Sequence, residues 1–188
     1  MKFLNFGSLN LDFVYDVEHF VRPGETISSA ALNTFSGGKG LNQSVALSRA
    51  GAQTYHGGCI GKDGQVLLDG LRAAGADVSF VRVLKSCRTG HAIIQVDPSG
   101  QNCILLFGGA NQAVTDVQIE ETLSRFGAGD FLLLQNEING LEQLMEKAAE
   151  KGIRIAFNPS PIDGKISQLP LEKVEFFLLN EIEGAALG

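Results

Sequence analysis

Short apolar runs alternate with amphipathic stretches along most of the chain. "KFLNFGSL" reads as a first strand, and "TYHGGCIG", "DVSFVRVL", "DFLLLQNE", "RIAFNPS" and "EFFLLNE" as later ones, each bounded by glycine, proline or polar residues. Between them apolar residues recur at helical spacing. Leu41 and Val45 lie four apart, Ala46 and Ala50 widen the stripe, and Gly51 is a stop signal. "DGQVLLDGLRAAGA" and "GLEQLMEKAAEKG" read as further helices, the second with Leu141, Leu144, Met145 and Ala148 as its buried stripe. "TDVQIEETLSRF" opens with Thr115 and Gln118 in capping-box spacing. Alternating strands and helices predict an α/β fold with a largely parallel sheet, whose ligand site lies beyond the C-terminal ends of the strands. The polar strand ends are Asn10 and Asp12, Gln135 and Glu137, Asn158, and Asn180 with Glu183.

Two stretches break this rhythm. Residues 13–35 carry a Pro23-Gly24 turn between two extended pieces, and "HAIIQVDPSGQNCILLFGG" reads as a hairpin with Pro98 and Gly100 at positions i+1 and i+3 of a type I turn. Together they form a candidate accessory sheet over the site.

Composition narrows the partners. The 188 residues suit one sizeable domain, and the net charge of -6 with scattered Lys and Arg gives no footprint for nucleic acid or an anionic membrane. No apolar run approaches the roughly 20 residues of a membrane span, and the N-terminal stretch is interrupted by Asn5, Asn10 and Asp12 before a signal-peptide core can build up. Three cysteines without a CxxC pair and three histidines outside metal-ligand spacing point to a reducing compartment, and the expected location is cytoplasmic. A small-molecule partner fits best.

The stretch "SGGKGLNQSVALSRAG" concentrates the candidate chemistry. A Walker A loop fails, because Asn33 stands where its first glycine belongs and Gly40 follows Lys39. A dinucleotide fingerprint fails too, since Gly38, Gly40 and Gln43 miss the GxGxxG spacing and a long excursion follows the first strand. What remains is a glycine turn that brings backbone N–H groups close to a neutral polar ligand, with Lys39 and Asn42 aimed into the same space.

Six motifs in order, "GSLNLD", "GGKGLNQSVALSRAGA", "GCIGKDG", "LLLQNE", "FNPSP" and "LLNEIE", make the chain similar to the N-terminal part of the pfkB family of carbohydrate kinases over essentially its whole length. The resemblance implies a Rossmann-like three-layer α/β/α ribokinase-like fold with a small β-sheet lid built from segments of about 13–35 and 91–109. It implies ATP-dependent phosphorylation of a sugar, ribose first among the acceptors, with magnesium and, in the longer family chain, a monovalent cation such as K+. Fructose or a nucleoside as acceptor, and a non-catalytic sugar-binding module, stay open as alternatives. A second copy pairing through the lid is also implied.

The resemblance assigns sugar contacts to Asn10, Asp12, Gly37, Gly38, Lys39, Asn42 and Glu137. By residue type alone, Asn10 and Asp12 read equally as an Asx turn, and Glu137 as an exposed loop carboxylate. Asn180 and Glu183 match an N-x-x-E motif near the triphosphate, Glu183 reaching the metal through water, while their plain reading is a helix cap with an acid in the first turn. Asn158 is matched to the phosphate side. "FGAGD" at residues 126–130 has the letters of the family's catalytic loop, but it runs into a strand rather than opening a helix, so Gly127 and Gly129 read as a helix stop and turn. The resemblance therefore puts the catalytic base and the nucleotide-binding part C-terminal to this stretch, and 188 residues alone are expected to be inactive.

Overall fold

The computed structural model describes residues 1–187. In chain order the elements are β1 (Phe3–Phe6), β2 (Asn10–Asp16), β3 (Ala31–Gly37), α1 (Lys39–Arg49), β4 (Thr54–Gly61), α2 (Gln65–Ala73), β5 (Asp77–Leu84), β6 (Gly90–Val96), β7 (Asn102–Phe107), α3 (Asp116–Leu123), β8 (Phe131–Gln135), α4 (Leu141–Glu150), β9 (Arg154–Asn158), β10 (Phe176–Phe177) and α5 (Glu181–Leu187). Six strands form one sheet in the order β10-β9-β8-β1-β4-β5, parallel at every pairing.

Neighbouring residues on a strand face opposite sides of the sheet, which separates two cores. Leu4, Phe6, Cys59 and Leu132 face α3 and α4, where they meet Ile119, Leu123, Leu144 and Met145. Ile60 faces α1 and α2 and packs on Leu41, Leu67, Leu68 and Leu71. Helices thus cover both faces, giving the expected three layers. All four stripe residues of α4 are buried, and truncating one such as Leu144 costs about 2–5 kcal/mol.

The second sheet runs β3-β2-β6-β7, with β2 antiparallel to β3, parallel to β6, and β6 antiparallel to β7. The β6–β7 turn is closed by Gly100 N donating to Asp97 O at 2.9 Å, as Pro98 and Gly100 predict. This sheet begins earlier than the sequence pattern indicates. Asn10 and Asp12 are not the end of β1 but the first residues of β2, because the chain breaks at Gly7–Leu9 and resumes at once as a strand. At the far end, β10 is two residues long, and Phe176, Phe177, Leu178 and Leu179 lie exposed on that sheet edge.

The capping-box spacing at α3 is half realised. Thr115 Oγ1 accepts from Gln118 N, but the Gln118 amide turns inward and donates to Gly58 O at 2.7 Å. The "FGAGD" loop lies before β8, at the end of the sheet opposite the strand C-termini. Asp130 accepts there from Lys2 N and Gly127 N, and Gly129 takes a φ of 88°.

A buried polar chain joins β1, α1, β4 and β8. Asn5 donates to Gly40 O and Ser44 Oγ at 2.7 and 2.9 Å and accepts from Gln135 Nε2 at 2.8 Å. His56 Nε2 must donate to the Gly7 carbonyl, so its Nδ1 accepts from Ser44 Oγ at 2.7 Å. Complete burial pushes the His56 pKa down to about 4. Because its value in the unfolded chain is near 6.5, the stabilising neutral form is fully present above pH 6.5 and lost as pH falls toward 4, a change on the order of 3 kcal/mol. The melting temperature is therefore expected to fall across that window, with the His56 ring resonances staying in the neutral Nε2–H form in the folded protein down to pH 5. A folded-state titration near pH 6.5 would contradict this.

Candidate functional site

The strand order reverses direction at β1. After β1 the sheet grows to one side through β4 and β5, and then to the other through β8 and β9. The crevice between the C-terminal ends of β1 and β8 is therefore the topological switch point where ligands bind in such sheets. Ser8 follows β1 there, Glu137 follows β8, and the N-terminus of α1 points between them.

These three features are bonded together. Glu137 accepts from the Ser8 hydroxyl and from Lys39 N at 3.0 Å, and its other oxygen pairs with Lys39 Nζ at 2.8 Å. Ser8 Oγ accepts from Gly40 N at 3.2 Å, and Ser8 O from Leu41 N at 2.9 Å. The first N–H groups of α1, orphaned in any helix, are thus consumed inside the protein. The glycine pattern predicts amides turned toward a ligand; the amides of Lys39, Gly40 and Leu41 instead hold Ser8 and Glu137, whose carboxylate offsets the positive end of the helix dipole. Glu137 is a buried carboxylate, its side chain 8% exposed, rather than a loop acid in water.

The glycines of the turn have separate reasons. Gly38 takes a φ of 95° at the N-cap. A Cβ at Gly40 would come within 2.4 Å of Ser8 N, so only glycine lets α1 approach the β1–β2 junction. Gly37 faces Asn10 across the β2–β3 pair, and the Asp12 carboxyl lies over it, 2.0 Å from where a Cβ would stand.

Asp12 is half-buried and has no hydrogen-bond partner among the described residues. Burial and then the nearby charge of Glu137 raise its pKa above the ordinary value. Asn10, 4% exposed, lies on the same strand face two residues earlier. Its Oδ1 accepts from Asn111 Nδ2 at 2.7 Å, and its Nδ2 has no partner among the described residues. Asn10, Asp12, Gly37, Gly38, Lys39 and Glu137 are therefore brought to one place. Asn42 is exposed, one turn along α1 from Lys39 on the same side of the helix, with no side-chain partner among the described residues.

By register, Phe35, Ala92, Ile94, Ile104 and Leu106 share the Asp12 face of the second sheet. The site thus sits between a polar floor and an apolar wall. The sequence places a covering sheet here but not the side chains of its apolar face, and it gives no sign of Ser8 or Asn111. Ser8 stands inside the quoted "GSLNLD", but nothing local shows that it meets a helix 31 residues on. Asn111 carries no signal beyond a polar residue in "GGANQ".

A second cleft, of about 550 Å³, is lined by Asn158, Ser160, Phe177, Leu178, Leu179, Asn180 and Glu183. It joins the end of β9 to the start of α5. Asn180 and Glu183 form a reciprocal capping box: Glu183 N donates to Asn180 Oδ1 at 2.9 Å, and Asn180 N to Glu183 Oε2 at 3.0 Å. Glu183 Oε1 has no partner among the described residues. Gln135 is in register with Asn158 across β8 and β9, so both clefts open on the same edge of the sheet.

Comparison with known proteins agrees with this fold. The model of the pfkB family of carbohydrate kinases matches residues 2–187. A ribokinase of Haemophilus influenzae is 32% identical over 185 residues, covering 96% of this chain and 60% of its own length. The crystal structure of a Cryptococcus neoformans ribokinase with ADP is 34% identical with a TM-score of 0.85, covering 99% of this chain and 60% of that one. An Arabidopsis thaliana ribokinase complexed with ribose and ATP superposes with a TM-score of 0.81 at 27% identity, covering 94% and 59%. The chain thus spans about 60% of the length of these relatives. On the match along nearly all of its residues, the chain belongs to the pfkB family of carbohydrate kinases.

Proposed function

We propose that this chain forms the acceptor-binding part of an ATP-dependent sugar kinase, with ribose as the acceptor. The observation that carries the proposal is Asp12: a half-buried carboxylate without a hydrogen-bond partner among the described residues, beside a second carboxylate, Glu137, and one cation, Lys39. This set repels a phosphate and accepts hydrogen bonds from neutral hydroxyls, and a carboxylate can take two adjacent ones. With the α1 amides already occupied, the turn holds no anion, so the ligand in this crevice is a polyol. Asn10, Lys39 and Asn42 supply donors to the same hydroxyls, and Glu137 fixes Lys39. The apolar wall of Ala92, Ile94 and Leu106 covers the sugar face and excludes water, a competing phosphoryl acceptor.

The second cleft fits the phosphate end of a nucleotide. Asn158 and Asn180 bring side-chain amides, and Glu183 brings one free carboxylate oxygen, a hard donor suited to a magnesium ion that keeps much of its water. ATP would supply the phosphoryl group and magnesium would neutralise its charge. The group that deprotonates the acceptor, the adenine contacts and any monovalent-cation site are proposed to come from the share of the relatives' length this chain does not span. The relatives described above support the reading: one was solved with ADP and another with ribose and ATP.

The second sheet is proposed to pair with a second copy. Its β7 is exposed along all six residues, and Ile104, farther along the sheet than the Leu106 over the crevice, presents apolar surface. Sedimentation of the wild type is expected to show a dimer at micromolar concentration, and Ile104→Glu a monomer; a monomeric wild type would refute the pairing.

Phosphoryl transfer from ATP to ribose, measured on the full gene product against fructose and nucleosides, tests the assignment, and no turnover with any of them would overturn it. Asp12→Asn is expected to weaken ribose binding about 100-fold, through loss of charge-assisted hydrogen bonds of about 1.5–3 kcal/mol each. The same change should raise the melting temperature of the sugar-free protein at pH 7. The stabilising protonated form of Asp12 is present at low pH and lost as pH rises through its raised pKa, so the gain should vanish toward pH 4. Unchanged ribose affinity in that variant would remove Asp12 from the site.

A further inference from the structure

We propose that Asn111 is a positioning residue that sets the hydrogen-bonding polarity of Asn10, so that Asn10 presents N–H and not C=O to the acceptor sugar. The proposal rests on the reading above that Asn10 touches the sugar, and it deepens that reading to the direction of one hydrogen bond.

Asn111 lies in the 3-10 turn Gly109–Gln112 that returns the chain from β7 to the core, and it is 2% exposed. Its side chain is bonded to Leu9, which falls between β1 and β2 and belongs to neither ladder. Asn111 Oδ1 accepts from Leu9 N at 3.0 Å, and Asn111 Nδ2 donates to Leu9 O at 3.4 Å and to Asn10 Oδ1 at 2.7 Å. The amide takes the place of a missing strand neighbour. Its own turn is anchored in the core, with Ala110 N donating to Arg88 O and Asn139 N to Asn111 O.

The orientation of both amides follows from one fixed donor. A backbone N–H can only donate, so the Asn111 atom facing Leu9 N is the carbonyl oxygen. Its other end is then NH₂, and the Asn10 atom facing that NH₂ must be Oδ1. Asn10 Nδ2 is what remains for the crevice, on the strand face that also carries Asp12. Polarity is relayed from the Leu9 amide through Asn111 to Asn10. Room for the relay comes from Gly90, in register with Asn10, where a Cβ would fall 2.2 Å from Asn111 Nδ2 and 2.4 Å from Asn10 Oδ1. The site therefore sets a donor, Asn10, beside an acceptor, Asp12, and one sugar hydroxyl accepts from the first.

The informative variant is Asn111→Asp. A carboxylate still accepts from Leu9 N, but it also accepts from Asn10, which turns Asn10 Nδ2 away and presents Oδ1 to the sugar. Calorimetric titration of the full protein with ribose and with its singly deoxy and deoxyfluoro analogues reads the polarity, because fluorine accepts weakly and never donates while hydrogen does neither. At one sugar position the wild type is expected to bind the fluoro analogue up to about tenfold tighter than the deoxy analogue. Asn111→Asp should lose that preference while Leu9 N–H stays protected from hydrogen exchange. An unchanged preference, with Leu9 still protected, would overturn the proposal. A wild type that binds none of these sugars would instead overturn the functional reading. The relay is then judged on the sugar-free protein, where the side-chain NH₂ of Asn111 should exchange slowly and that of Asn10 rapidly, and the reverse order would refute it.

Discussion

The Glu137 carboxylate at the start of α1 holds the site together. It comes from the end of β8, more than ninety residues after the helix it caps, and it binds that helix's first amide, its first side chain and the hydroxyl that follows β1. A carboxylate this buried would be costly if unpaired. Here the helix dipole, the ammonium of Lys39 and two further donors compensate it, and in return it locks three segments at the switch point of the sheet. Without it α1 would open on an uncapped N-terminus, a place that attracts phosphate. With it, the amides of Lys39, Gly40 and Leu41 are bonded inside the protein, which supports the proposed preference for a neutral ligand.

Asp12 shows the opposite condition. A like charge lies nearby and none of the described residues donates a hydrogen bond to it, so the fold holds it at a cost that a ligand's hydroxyls would relieve. In the proposed reading the two carboxylates divide the work, Glu137 bonded to α1 and Asp12 left for the acceptor. The buried chain of Asn5, Ser44, His56 and Gln135 joins β1, α1, β4 and β8 and fixes the carbonyl of Gly40 and the end of β8 that Glu137 follows.

Much of the fold was legible because local and global signals agree. The α4 stripe, the Pro98-Gly100 turn, the stop at Gly51 and the structural character of Asp130 all follow from neighbours within a few residues. The start of the second sheet was misplaced because Asn10 and Asp12 look like a polar strand end, whereas their alternation belongs to a new strand. The purpose of the glycine turn was half legible. That it must be tight could be read from Gly38 and Gly40, but where its amides point depends on Glu137 and Ser8, which only the tertiary fold delivers. For the same reason Asn111 was invisible: its three bonds reach about a hundred residues back along the chain.

The central claim is that hydroxyls of a bound sugar satisfy Asp12 while Glu137 stays engaged with α1. Carbon-13 NMR of the two side-chain carboxyls, titrated with and without ribose, tests it most directly. Ribose is expected to lower the raised pKa of Asp12 and to leave Glu137 paired with Lys39. A saturating sugar that leaves Asp12 unmoved, or that displaces Glu137 from Lys39, would contradict it.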